Sequence, residues 1–141
     1  MAALVARNVN HETCRHRYPR AHLAFVATDQ VRPAAKRLLR AVDQGNAYVL
    51  IPAIVLVELT LLREAGRRVV GPAEIEALFT RYRGFDILPI DLAQTQAFVG
   101  LGGLRDPFDR MIIAAARSGP YPLLSADNLI AASKLVDVER D

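Results

Sequence analysis

LRDPFDRMIIAAA, residues Leu104 to Ala116, is the stretch on which the fold of this chain turns. Asp106 is placed to cap a helix, Pro107 suits its first turn, and Asp109 falls in that same turn, where the positive end of the helix dipole favours a carboxylate. The residues that follow, Met111 through Ala116, are apolar on nearly every face, so the helix must be buried. Asp109 is therefore aimed inward. An inward acid needs a cation, a hydrogen-bond donor or a proton to be tolerable.

Working outward, short apolar strands alternate with helices. Arg32-Pro33 opens a helix to about Gln44, with Ala35, Leu38, Leu39 and Val42 inward and Gly45 as its stop. Tyr48 to Ile51 reads as a buried strand, and Pro52 starts a helix that carries Glu58 and ends near Gly66. An amphipathic helix from Pro72 to about Tyr82 follows, then a strand from Phe85 to Ile90 and a helix from Asp91 to about Val99. Beyond the central helix come a strand from Tyr121 to Leu124, a short helix from Asn128 to Ser133 and a last strand from Leu135 to Val138. This order predicts an α/β fold in three layers, α/β/α, around a mainly parallel sheet. The first residues, 1–22, have no period of two or 3.6, although the apolar opening Ala2 to Ala6 has room for a short strand. Residues 23–141 form the expected domain, preceded by that irregular segment.

With 141 residues, 52% of them hydrophobic, the chain is expected to be one folded domain. The net charge of +3 is already supplied by Arg7, Arg15, Arg17 and Arg20 against Glu12, and the remainder balances to zero. Basicity thus describes the N-terminal segment and argues only weakly for a general phosphate-binding surface. A single cysteine, Cys14, excludes an intrachain disulfide framework and fits a reducing, cytoplasmic setting. The longest apolar run, Tyr48 to Leu62, is broken by Pro52 and contains Glu58, so no membrane span is expected. The glycines from Gly100 to Gly103 lack the spacing and lysine of a phosphate loop, and His11, Cys14 and His16 lack a fourth zinc ligand.

Three acids stand out. Glu58 interrupts VLIPAIVLVELTLL, about two turns into the helix that leaves one strand. Asp127 follows another strand, and Asp109 begins the helix leading back into the sheet. In open α/β sheets the functional crevice lies outside the carboxyl ends of the strands, and three acids meeting there repel one another unless a divalent cation lies between them. Oxygen ligands without histidine or cysteine suit Mg²⁺ or Mn²⁺, which activate water and stabilise charge on a phosphoryl group. The plain structural alternative makes Glu58 a snorkelling or paired acid and the aspartates helix caps. Asp106, Arg110 and Ser125 are accessory candidates: Asp106 chiefly as a cap, Arg110 as an ion-pair partner or phosphate contact, Ser125 as an orienter of Asp127 or of a bound water.

From about Thr28 onward the chain resembles the PIN-domain ribonucleases, and in particular the VapC-type toxins of toxin–antitoxin pairs. The resemblance rests on DQVRPAAKRLLRA, YVLIPAIVLVEL, LRDPFDRMIIAAA and PLLSAD. It implies a four-acid site that binds one or two Mg²⁺ or Mn²⁺ ions and cleaves RNA, with Glu58, Asp109 and Asp127 as the second, third and fourth acids. It also implies a cognate antitoxin and a homodimer. The departure is at the first acid, which family members carry as Asp before Thr, Ser or Asn at the end of the first strand. Counting back from Asp29 reaches Pro19, and no Asp precedes Asp29. Three remaining ligands imply weaker metal binding and reduced or absent cleavage. Glu12 would substitute only if the N-terminal segment folds back. A non-catalytic module that keeps the antitoxin- or RNA-binding surface is the competing reading, with the helices near Leu56 to Leu62 and from Pro72 as docking surfaces.

Overall fold

Every residue of the strand β2 (Val49–Pro52) is buried. Successive strand residues point to opposite faces, so burial of all four means that helices cover both sides of the sheet. The computed structural model describes residues 4–6, 33–119, 122–124, 128–136 and 138–139. The remaining strands are β1 (Leu4–Ala6), β3 (Phe85–Leu88), β4 (Leu123–Leu124) and β5 (Val138–Glu139). The helices are α1 (Pro33–Asp43), α2 (Ala53–Glu64), α3 (Pro72–Arg81), α4 (Leu92–Val99), α5 (Pro107–Arg117) and α6 (Asn128–Ser133). This is the α/β/α arrangement that the alternation implied.

The sheet order is β3-β2-β1-β4-β5. β2 pairs parallel with β3, and β4 with β5. β1 pairs antiparallel with both of its neighbours, Val5 opposite Leu50 and Leu4 opposite Leu124. Four strands therefore run one way and the central one opposes them. At the carboxyl rim of β2 and β4 the middle slot presents the amino end of its strand.

Helix ends follow from local chemistry. Gly45 and Gly66 adopt positive φ, 72° and 81°, just past α1 and α2. At the first, Asn46 N–H donates to Ala41 O and Gly45 N–H to Val42 O; at the second, Arg67 N–H donates to Leu62 O and Gly66 N–H to Arg63 O. Both are Schellman closures, which favour glycine because the left-handed residue lacks a Cβ. At the start of α3, Glu74 Oε2 accepts the Gly71 N–H at 2.9 Å and lies 3.2 Å from Arg63 Nη1. Hydrogen bonds from its own backbone and from Gly71, with Arg63 nearby, hold the Glu74 carboxyl below its usual pKa. Its contribution is therefore present above the ordinary carboxylate range and lost as pH falls through the lowered value.

Strand boundaries differ from expectation at several places: β3 ends at Leu88 rather than Ile90, before Pro89, and β4 is described only as Leu123–Leu124. β2 extends through Pro52, whose missing N–H is harmless at a strand end. The last strand starts at Val138 because α6 closes on Lys134 at φ 54°, where Ser133 Oγ accepts the Leu135 N–H at 3.3 Å. That turn occupies the residues expected to open the strand. The apolar segment Leu23 to Ala27, which suits a buried strand or the start of a helix, lies outside the described residues.

The core joins Leu38 and Val42 of α1, β2, Val55 and Leu59 of α2, Ile75 of α3, and Met111 through Ala116 of α5. Gly84 sits where the turn before β3 passes α1: a Cβ there would meet Val42 Cγ1 at 2.6 Å and Ala47 O at 3.1 Å. Gly84→Ala is expected to destabilise the protein by about 1–3 kcal/mol through overpacking. Urea unfolding measures this, and an unchanged midpoint would contradict the close approach.

Candidate functional site

α5 packs against α4, α2 and β1 and precedes β4 in the chain. Asp106 caps α5 as expected: its Oδ1 accepts the N–H of Phe108 at 2.8 Å and of Asp109 at 3.1 Å. The six residues from Met111 to Ala116 are all buried, while Asp109 in the first turn is half-buried. An aspartate there is favoured by the helix dipole and by the nearby unsatisfied N–H groups.

Glu58 lies on α2, a helix that packs against α5. It is the sixth residue of α2, about a turn and a half beyond the end of β2 rather than two. Its side chain is only 7% exposed, on the face that also carries the buried Val55 and Leu59. α2 packs against α5, so the helices that carry Glu58 and Asp109 are direct neighbours. Both have an interaction beyond the backbone ladder. Asp127 and Ser125 follow β4 in sequence but lie outside the described residues, as do His11, Glu12, Cys14 and His16. Among the described residues no group of three or more His, Cys, Asp or Glu is close enough to hold a metal ion. Two acids on packed helices, with oxygen donors only, fit part of a hard-cation site.

Arg110 does something the sequence did not indicate. Its partner within the protein is a main-chain carbonyl, not an acid. Nε and Nη2 donate to Phe98 O at 3.0 and 2.9 Å, and the guanidinium carbon lies 3.9 Å from the centre of the Phe98 ring. A carbonyl at a helix end carries partial negative charge and accepts a planar fork well, but no residue type marks it in a sequence.

Gln94 is the second polar side chain buried among the described residues, 1% exposed. Its Nε2 donates to Pro89 O at 2.7 Å and its backbone N–H is capped by Asp91. This ties the start of α4 to the carboxyl end of β3. Away from the rim, α2, α3 and β3 enclose an apolar groove of about 300 Å³ lined by Leu56, Leu59, Pro72, Ile75, Phe79 and Ile87. No helix among the described residues is long and apolar enough to cross a membrane.

Compared with known families, the chain matches a family model described as PIN domain over residues 21–133. That span includes Glu58, Asp106, Asp109, Arg110, Ser125 and Asp127. A search of curated proteins finds no match.

The cap is directly testable. Asp106→Ala leaves the Phe108 and Asp109 N–H groups without their carboxylate and is expected to cost about 0.5–2 kcal/mol in chemical unfolding, whereas Asp106→Asn retains most of that stability. Equal stability of the alanine variant and the parent would remove Asp106 as the cap.

Proposed function

The chain belongs to the PIN-domain family, whose members are generally metal-dependent nucleases, and from that premise we propose that it is an endoribonuclease of the VapC toxin type with reduced activity. The observation that carries this reading is the burial of Glu58 on a helix packed against the one whose first turn holds Asp109. A charged glutamate inside an apolar helix is costly unless its surroundings stabilise it, and a cation shared with other carboxylates does so.

On this reading Glu58, Asp109 and Asp127 would hold Mg²⁺ or Mn²⁺. The ion, when bound, supplies an acidified water and stabilises charge on the scissile phosphate of RNA. The protein's part is positional. Core packing of α2 and α5 places the helices that carry two of the acids, the Asp106 cap holds the backbone of Asp109, and Ser125 would orient Asp127 or a bound water. The chain acts in the cytoplasm, where its single cysteine remains reduced. Its partners are a cognate antitoxin, docked in the apolar groove between α2 and α3, and a second copy of itself. Leu92 and Val99, 72% and 76% exposed on α4, lie one heptad apart and would be buried in the homodimer.

One observation favours a second reading, a catalytically inactive module that binds antitoxin or RNA. β1 runs antiparallel to β2 and β4, so among the described residues no parallel strand between them carries an acid to the middle of the rim. Removing one acid of four takes negative charge away from the cation site and would leave the water to be activated less well placed.

Incubation with a panel of RNAs in Mg²⁺ or Mn²⁺ separates the two. Slow cleavage, lost by at least ~100-fold in Glu58→Gln and in Asp109→Asn, is the expected result for charge-stabilising metal ligands. RNA binding without cleavage at any metal concentration would favour the inactive module. For the dimer, Leu92→Glu with Val99→Glu is expected to shift the particle to monomer mass in light scattering. A parent protein that is already monomeric at high concentration would refute that interface.

A further inference from the structure

The segment joining α4 to α5 is poorly suited to fix one helix against the other. A Cβ at Gly102 or at Gly103 would have nothing within 4 Å, so the loop passes through open space there. Its attachments are the buried Leu101, whose N–H donates to Phe98 O at 3.1 Å, and Leu104, whose N–H donates to Leu101 O at 3.0 Å. Phe98 O also accepts the N–H of Gly100 at the end of α4. Arg110 adds two donors to that same oxygen, at 3.0 and 2.9 Å, and lays its guanidinium over the Phe98 ring. One carbonyl thus gathers the end of α4, the loop after it and the first turn of α5.

The turn held in this way is the one that carries Asp109. Asp106 holds it from within, through the N–H groups of Phe108 and Asp109. Arg110, the next residue along, holds it from outside, against a neighbouring helix. We infer that Arg110 is the positioning residue of the acidic site: by clamping Phe98 O of α4 with both Nε and Nη2 it fixes the direction in which Asp109 of α5 presents its carboxylate to a divalent cation. This rests on the reading of Asp109 as a metal ligand. Residues that orient a ligand through the backbone or a hydrogen bond commonly alter metal affinity without touching the ion. The guanidinium suits the task because one planar edge converges two N–H groups on a single oxygen while its face stacks on an aromatic ring. A lysine at the same place keeps the charge but has no fork.

The test measures Mn²⁺ binding to the full chain by electron paramagnetic resonance, with no RNA present. Arg110→Met keeps much of the side-chain stem over Phe98 and removes both hydrogen bonds. The expected result is a dissociation constant raised by about 10- to 100-fold, with Arg110→Lys intermediate and the circular dichroism of all variants unchanged. Should Arg110→Met fail to fold, Arg110→Lys is read alone, and a several-fold weakening is expected. Asp109→Asn serves as the reference. If it loses Mn²⁺ while Arg110→Met, or Arg110→Lys where that is the variant read, binds as tightly as the parent, the positioning role is overturned and the metal reading stands. If Asp109→Asn binds as tightly as the parent, the metal reading falls and the positioning role falls with it.

Discussion

The structure depends on the burial of the six residues Met111 to Ala116 in α5. Ile112, Ile113, Ala114 and Ala115 have no exposed surface, and Met111 and Ala116 have almost none. Each large side chain so placed contributes about 1.5–3 kcal/mol relative to exposure, and the alanines let neighbouring elements approach closely. α5 can meet these demands only between α4, α2 and the sheet, which it contacts at β1. With that apolar length seated, the polar first turn that carries Asp109 is placed by core packing, and the rigidity a ligand turn would need is already provided by the core.

Most of this was legible because the helices announce their ends chemically. Pro33, Pro72 and Pro107 sit at helix starts, Asp91 and Asp106 act as caps, and Gly45 and Gly66 stand where a left-handed residue is needed. Burial of Glu58 could be read from its position inside an unbroken apolar run. What was not legible has a common character. The direction of β1 is invisible in its residues, since alternation gives a strand its faces but not its sense, and only pairing with Leu50 and Leu124 fixes it. The start of β5 moved because one serine and one left-handed lysine close α6. The target of Arg110 is a backbone oxygen, and every residue has one. Likewise nothing in the type of Gln94 indicates that it is bonded to Pro89 and buried.

The groove between α2, α3 and β3 shows how the two sides of α2 divide their tasks. Val55, Glu58 and Leu59 face inward, while Val57 and Leu61, one turn apart, are about half exposed. Leu59 belongs to the core and also lines the groove. A partner seated there would press on the helix that carries Glu58, so binding on that face and the geometry of the acid are mechanically linked through one rigid element. The link follows from sharing a helix and requires no separate moving part.

The reversed central strand sets the electrostatics of the rim. In a site built from four carboxylates, mutual repulsion penalises the metal-free protein, and the ion both relieves the repulsion and gains from it. With β1 running antiparallel, the middle strand turns its carboxyl end to the opposite edge of the sheet, and the proposed site works with the acids of α2, α5 and the segment after β4. On that proposal three acids repel one another less than four in the metal-free protein and attract a divalent cation less strongly, so stability without metal and weak affinity for it would share one cause.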